Sequence, residues 1–282
     1  DCVVDAYIDP IVVESAQFQL GTDLPPEFYL QSSPESSMKR MLAAGAPSIY
    51  SMGPAFRAGE RGQMHNIEFT MLEWYELDAD IIAGINLLGD LAVTVLGRDG
   101  FDVCTYRQVF LESLGFDPIH ECVTSLKAHF ARFDTHLANS NGEHRDSLLD
   151  ALLSRIIQPT LGVTRPVIVM NYPLSQAALA RPAADDAECA ARFELFVDGI
   201  ELANGYDELR DANVLLERAQ ASNQKRKSSG RRGLAIETSL VAAMRSGLPP
   251  CTGVALGVDR LLMIRTGEKS VENVMPFLVE FA

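Results

Sequence analysis

The stretch Ala191–Gly205, ARFELFVDGIELANG, permits few folds. Apolar and charged residues interleave on both sides of Asp198-Gly199, a dipeptide suited to a two-residue turn with positive φ at both central positions. The spacing predicts a β-hairpin and, with it, an antiparallel sheet. Counting outward from the turn pairs Val197 with Ile200, Phe196 with Glu201 and Glu194 with Ala203. Glu194 and Glu201 then lie diagonally on one face, with Cβ atoms roughly 7–8 Å apart or less. Two readings fit: solvated glutamates on an exposed face, or oxygen ligands for Mg²⁺, which waters and phosphates would complete. Strict alternation turns Asn204 away from Glu201, so a bend at Gly205 is expected to bring Asn204, Tyr206 and Glu208 together. Glu208 also reads as a first-turn helix acid.

The rest of the chain supports an α+β fold around an antiparallel sheet flanked by helices. Strands are expected at 27–31, 48–56, about 67–77, 166–173 and near Gly253–Gly257. Helices are expected within Ser32–Gly45, 79–96, Tyr206–Lys227, Glu237–Gly247 and Val258–Arg265. Residues 105–165 read as mostly helical, with loops at Asp117-Pro118 and Asn139–Gly142. Together these suggest one domain over 1–282, with a mostly helical insertion at about 100–165.

The 67–77 strand has an unusual pattern. Side chains alternate faces, so Ile67, Phe69, Met71, Glu73 and Tyr75 share one, and Glu68, Thr70, Leu72, Trp74 and Glu76 the other. The first face is mostly apolar yet carries a carboxylate, and a buried carboxylate must be paired or hydrogen-bonded. Glu73 is either half of an internal ion pair with an arginine or the floor of a pocket, with an aromatic for a flat ring and an acid and hydroxyl for a cation. Downstream, GVALGVDR (Gly253–Arg260) places an arginine just inside a helix, where its planar guanidinium can stack on a ring and reach phosphate.

Composition excludes several classes. The net charge of −14 argues against a protein that grips long nucleic acid. The one basic cluster, Lys225–Arg232, reads as a solvated loop or as a docking point for an acidic partner. No stretch approaches the roughly 20 apolar residues of a membrane span. Five scattered cysteines (Cys2, Cys104, Cys122, Cys189, Cys251) suggest a reducing cytoplasm without disulfides or a zinc site. His120, His129, His136 and His144 read as surface residues and not as metal ligands.

In order along the chain, FRAGERG…HNIEFTMLEWY resembles motif 2 of the class II aminoacyl-tRNA synthetases, and GVALGVDRLLM their motif 3. SSPE, EFTMLEWY and GIELANGYDEL are similar to the lysyl branch. Within it the chain resembles the truncated elongation factor P–(R)-β-lysine ligase family, from about residue 3 to the end. Ala203 and Ala255 stand where lysyl-tRNA synthetases usually have glycine, and Gln176 where they usually have proline. The chain is expected to carry no anticodon-binding barrel ahead of its catalytic region; motif 1 is not visible, and Asp1–Pro10 is expected to begin just after it.

The resemblance implies an ATP-dependent, AMP-forming enzyme that activates lysine or β-lysine and transfers it to a lysine of elongation factor P. It implies a homodimer in the cytoplasm, with no membrane partner and no tRNA. Arg57 would hold the α-phosphate and the substrate carboxylate, and Phe69 and Arg260 would sandwich adenine. Glu194 and Glu201 would hold Mg²⁺ with ATP, and Asn66 would touch the nucleotide. Leu202 and Gly257 belong to the same ATP site. Ser33, Pro34, Glu35, Tyr75, Asn204, Tyr206 and Glu208 would receive the substrate and its two amino groups, supported by Glu73 and shaped by Ala255. Motif 2 departs from the family's Phe-Arg-x-Glu: Gly59 takes the glutamate position and Glu60 follows one step later, from where it would contact adenine. Ile67 replaces a common proline. The remaining readings are a tRNA-charging lysyl enzyme or its catalytic core, and a non-catalytic synthetase-like regulator.

Overall fold

In the computed structural model, residues 4–15, 27–132 and 144–278 are described. Cys2, His136 and the expected Asn139–Gly142 loop lie outside them, as does the start of Asp1–Pro10. The chain forms two compact units, Asp1–Asp78 with Leu209–Ala282, and Ala79–Glu208.

The first unit contains β1 (Val12–Glu14) paired with β2 (Glu27–Tyr29), and an antiparallel set in which β4 (Glu68–Leu77) lies between β3 (Ile49–Phe56) and β9 (Cys251–Gly257). Helix α1 (Glu35–Ala43) stops before Gly45, whose φ of +93° favours glycine. It packs on α7 (Ser239–Gly247), burying Met38 and Leu42 with Leu240 and Met244. Helix α8 (Val258–Thr266) follows β9 directly, and its Asp259 accepts a hydrogen bond from the Thr70 backbone at 2.7 Å, tying it to β4.

Helix α6 (Ala212–Ser228) starts six residues later than the sequence suggests. Asp211 caps it by accepting from the Asn213 and Val214 amides. Tyr206 and Asp207 instead complete a strand, and Glu208 bridges to Ala180 at 1 % exposure; it is a buried strand-end carboxylate, not a helix-start acid.

The basic cluster at the end of α6 is largely exposed, as a solvated segment would be, with Lys225, Lys227 and Arg232 at the surface; Arg226 departs from that reading. Arg226 is 2 % exposed. It donates to the carbonyls of Asp5, Ile8 and Arg232 and to the Asp9 carboxylate. Arg231 donates to the Tyr7 carbonyl, and Arg232 pairs with Glu27. The cluster staples the chain's first described segment to α6.

The second unit orders its strands β8-β7-β6-β5: β8 (Ile200–Asp207), β7 (Cys189–Val197), β6 (Val167–Pro173) and β5 (Asp102–Thr105). Only β5–β6 is parallel. Asp198 and Gly199 have φ of 50° and 78°, as the hairpin turn requires. Helix α2 (Ile81–Leu96) is capped by Asp80. Helices α3 (Tyr106–Leu114), α4 (Val123–Ala131) and α5 (Arg145–Leu152) bury Phe110, Phe130, Leu148 and Leu152 against Val169, Tyr172 and Phe196. His129, expected at the surface, is largely buried with its ring stacked on Phe116 at 3.9 Å, whereas His120 and His144 are exposed. Cys104, Cys122, Cys189 and Cys251 are free thiols. Among the described residues no helix is long and apolar enough to cross a membrane.

Arg226→Met removes four donor contacts from one buried side chain and leaves carbonyls unpaired. Denaturant unfolding is expected to show a loss of about 2–3 kcal/mol, while Lys227→Met, one residue along, changes stability little.

Candidate active site

In the first unit, β4 places Glu73 opposite Ser51 of β3 and Ala255 of β9, and Tyr75 opposite Gly253. Small residues on β9 thus flank the acidic face. Glu73 is 2 % exposed. Hydroxyls hold it, not an arginine: Ser33 Oγ donates to Oε2 at 2.7 Å and Tyr75 to Oε1 at 2.6 Å. The Ser33 hydroxyl also accepts from the Glu35 amide at 3.0 Å, so one side chain fixes both the start of α1 and the carboxylate. Glu35 pairs one turn along α1 with Lys39 at 2.5 Å, and the Lys39 ammonium lies 5.8 Å from the Tyr75 ring centroid. Ser33, Glu35, Glu73 and Tyr75, all expected from the sequence, are therefore assembled here with Pro34 at the helix start. Lys39 was not expected. Its signal was the i, i+4 spacing from Glu35, which normally marks an exposed pair, whereas here Lys39 is 2 % exposed.

Burial, then the Glu35 charge, raises the Glu73 carboxyl to about 7, against the pull of its two hydroxyl donors and Lys39. Near neutral pH the Glu73 carboxyl is therefore partly protonated.

The motif 2 loop closes as a hairpin, with the Arg57 amide donating to the Ile67 carbonyl at 2.9 Å. The Arg57 guanidinium lies 5.1 Å from the Phe69 ring centroid, donates to the Ser32 carbonyl and lies 3.5 Å from Glu60. Glu60 thus answers Arg57 from one step beyond the family's glutamate position, and Gly59, at φ +79°, makes the turn that allows it. Asn66 is buried, and its side-chain nitrogen donates to the Glu68 carbonyl at 2.7 Å. Arg260 donates to the Met64 carbonyl and meets His65 Nε2 at 2.7 Å. Burial and the Arg260 charge lower the His65 pKa, keeping its nitrogen available as an acceptor. His65 was missed in the sequence, where a lone histidine in a charged loop carries no spacing signal.

In the second unit the hairpin register departs from simple counting. Val197 faces Ile200 and Phe196 faces Glu201, but Leu195 faces Ala203 and Glu194 faces Asn204. The extra residue is Leu202, so a β-bulge, not a bend at Gly205, turns Asn204 and Tyr206 onto the face of Glu194 and Glu201. Strand β6 has a second irregularity between Met170 and Tyr172, with Asn171 at φ 58°, which turns Tyr172 to the same face. Glu194 is 5 % exposed, which overturns its reading as a solvated glutamate. Tyr172 donates to Oε2 at 2.5 Å and Arg192 donates to Oε1. Arg192 also donates to the Gln176 carbonyl at 2.6 Å and stacks over Tyr172, 4.7 Å from the ring centroid. Arg192 and Tyr172 were not expected from the sequence. Among the described residues, no group of three or more His, Cys, Asp or Glu side chains gathers to hold a metal.

A sequence profile of the family described as tRNA synthetases class II (D, K and N) matches residues 10–279. The chain belongs to that family. A class II relative from Mannheimia succiniciproducens is 42% identical over 258 residues, spanning 90% of this chain and 78% of the relative. Relatives from Pasteurella multocida and an Enterobacter species are each 41% identical over 254 residues, with the same shares. All three carry the name Elongation factor P--(R)-beta-lysine ligase. The α+β class II architecture expected from the motifs is therefore present, and Phe69, Glu73 and Tyr75 share one strand face within it.

Glu73 gives this class II chain a defined pH response. Because folding raises its pKa from 4.5 to about 7, its contribution to stability is full below pH 4.5 and is lost as pH rises through about 7. Urea unfolding at pH 5 and pH 8 is expected to show that Glu73→Gln removes on the order of 2–3 kcal/mol of this pH-dependent loss.

Proposed function

We propose that this chain is an ATP-dependent, AMP-forming ligase that activates lysine or (R)-β-lysine and transfers it to a lysine side chain of elongation factor P. The observation that carries the reading is the conjunction of a class II family match over 10–279 with relatives at 41–42% identity that all bear the ligase name. The acidic charge of −14 favours a protein acceptor over tRNA. The free cysteines fit a cytoplasmic location. A homodimer belongs to the reading, supported by Tyr50 and Met52, exposed side by side on one face of β3.

We assign the roles as follows. Arg57 receives the α-phosphate and the substrate carboxylate, and Phe69 offers its ring to adenine. Arg260, released from His65, covers that ring, with Glu60, Asn66 and Gly257 of the first unit as further nucleotide contacts; in the second unit Leu202 is assigned to ATP. In the first unit Glu35, Glu73 and Tyr75 with Ser33 and Pro34 take one end of the amino acid beside Ala255; in the second unit Asn204, Tyr206 and Glu208 are assigned to substrate amino groups. Glu194 and Glu201 fit a hard cation: they are oxygen donors on one face of one hairpin, and each oxygen of Glu194 has a single donor. Bound with ATP, Mg²⁺ would neutralise phosphate charge.

The substrate carboxylate attacks the α-phosphorus in line, the bond to the β-phosphate oxygen breaks, and pyrophosphate leaves. Arg57 and Arg260 stabilise the developing charge, a positioning and electrostatic task. The acceptor amine then attacks the acyl carbon, AMP departs, and the amine loses a proton. No protein nucleophile is needed.

Mass spectrometry of elongation factor P after incubation with ATP and each lysine isomer tests the acceptor. A mass gain of one lysyl unit is expected; charging of tRNA instead would overturn the reading. Lysine-dependent ATP–pyrophosphate exchange tests activation, and its absence would favour a ligand-binding regulator. Glu201→Gln is expected to reduce exchange by at least about 100-fold with an unchanged circular dichroism spectrum.

A further inference from the structure

The carboxylate assigned to the metal has a permanent cation fixed beside it. Arg192 and Glu194 are two residues apart on β7 and so on one face, and the guanidinium donates to Glu194 Oε1. Arg192 cannot easily turn away. One terminal nitrogen is held by the Gln176 carbonyl at 2.6 Å, and the planar group lies on the Tyr172 ring. Tyr172 is itself fixed, with its hydroxyl on Glu194 and its ring 4.7 Å from that of Tyr106. The carbonyl that receives Arg192 is fixed in turn, because the Gln176 side chain donates to Asp150 Oδ1 at 2.7 Å and to the Asp146 carbonyl at 3.3 Å on α5. Gln176 thus contributes through an amide that proline, usual here in lysyl-tRNA synthetases, lacks.

The charge count has a consequence. With an immovable guanidinium fixed on it, Glu194 offers a divalent ion little net negative charge. Carboxylate count and charge set divalent affinity, and Mg²⁺ dehydrates reluctantly for a weak site. We propose that Arg192 makes the Glu194–Glu201 site nucleotide-dependent: it holds Glu194 in place and cancels its charge, so that a divalent cation is retained only when phosphate oxygens supply the missing charge. Arg192 is thus a positioning residue that couples cation binding to ATP binding. The inference rests on the metal role assigned above to Glu194 and Glu201.

Mn²⁺ binding, read as loss of the free-ion electron paramagnetic resonance signal, tests it without turnover. The probes are Mn²⁺ alone and Mn²⁺ with α,β-methylene-ATP. Wild type is expected to bind Mn²⁺ weakly alone, and about tenfold or more tightly with nucleotide, beyond what the nucleotide itself retains. Arg192→Gln is expected to bind Mn²⁺ alone about tenfold more tightly than wild type, losing most of the nucleotide dependence. Arg192→Lys keeps the charge and should restore it. Tight binding by wild type without nucleotide would overturn the proposal, and that measurement stands even if Arg192→Gln does not fold. A folded Arg192→Gln that matches wild type would overturn it too, while leaving the metal role intact. If wild type with nucleotide binds no more Mn²⁺ than nucleotide alone, the metal role itself fails.

Discussion

A carboxylate held at 5 % exposure must be given donors before the strand that carries it can pack, and Glu194 is that carboxylate. Its neighbours Phe193 and Leu195 point to the other face, and Phe196 enters the core beneath α3, α4 and α5. An ideal ladder would present only what alternation allowed. Both strands flanking β7 break alternation instead, at Asn171 in β6 and Leu202 in β8. One break delivers the Tyr172 hydroxyl and the other delivers Asn204. The arginine two residues earlier on β7 completes the set, and the helices then cover a face whose buried charge is already satisfied. Bulges of this kind re-aim side chains at functional sites at the cost of ladder hydrogen bonds.

The first unit solves the same problem differently. Glu73 sits among Ser33, Tyr75 and Lys39, and its two direct partners are hydroxyls, which stabilise charge less than a guanidinium does. The result is a carboxyl poised near neutrality, where Glu194 has a fixed counter-charge. A site for an incoming ammonium benefits from this: Glu35 is already paired with Lys39, so Glu73, whose direct partners are hydroxyls, is the carboxyl left to answer a new cation. A phosphate-bound metal site tolerates the opposite, since its ligand brings its own negative charge. The two carboxylates differ in chemistry because their neighbours differ, as in other sites where environment assigns the roles of two acids.

Much of the framework was legible because period-2 patterning and turn chemistry are local. The Asp198-Gly199 turn, the face shared by Phe69, Glu73 and Tyr75, and the Gly257-to-Arg260 passage from strand to helix all follow from neighbours in sequence. What was not legible depends on distant partners. The Leu202 bulge leaves no mark, because ELANG alternates equally well in either register until β7 selects one. The late start of α6 was hidden by Asp207 and Glu208, acids that suit a helix start but are claimed by Arg181 and by the bridge to Ala180. Arg226 looked solvated because nothing within ten residues hints that carbonyls of Asp5 and Ile8, more than 200 positions away, would surround it.

The motif 2 loop shows how a departure from family spelling can leave the local physics intact. Gly59 stands where the synthetases have glutamate, and positive φ there brings Glu60 to within 3.5 Å of Arg57. Arg260 and His65 form a second restrained pair, in which a neutral imidazole accepts from a guanidinium. Both arginines assigned to phosphate are thus held, Arg57 by the partly exposed Glu60 and the Ser32 carbonyl, and Arg260 by His65 and the Met64 carbonyl. A bidentate phosphate contact is charge-assisted on both sides, and roughly twice as strong as a neutral hydrogen bond. The loop therefore orients Arg57 through a partly exposed carboxylate, whereas Arg192, beneath Tyr172, is held by the buried carboxylate of Glu194 and by a carbonyl. That difference separates the arginines available to a substrate from the one that serves the scaffold of the site.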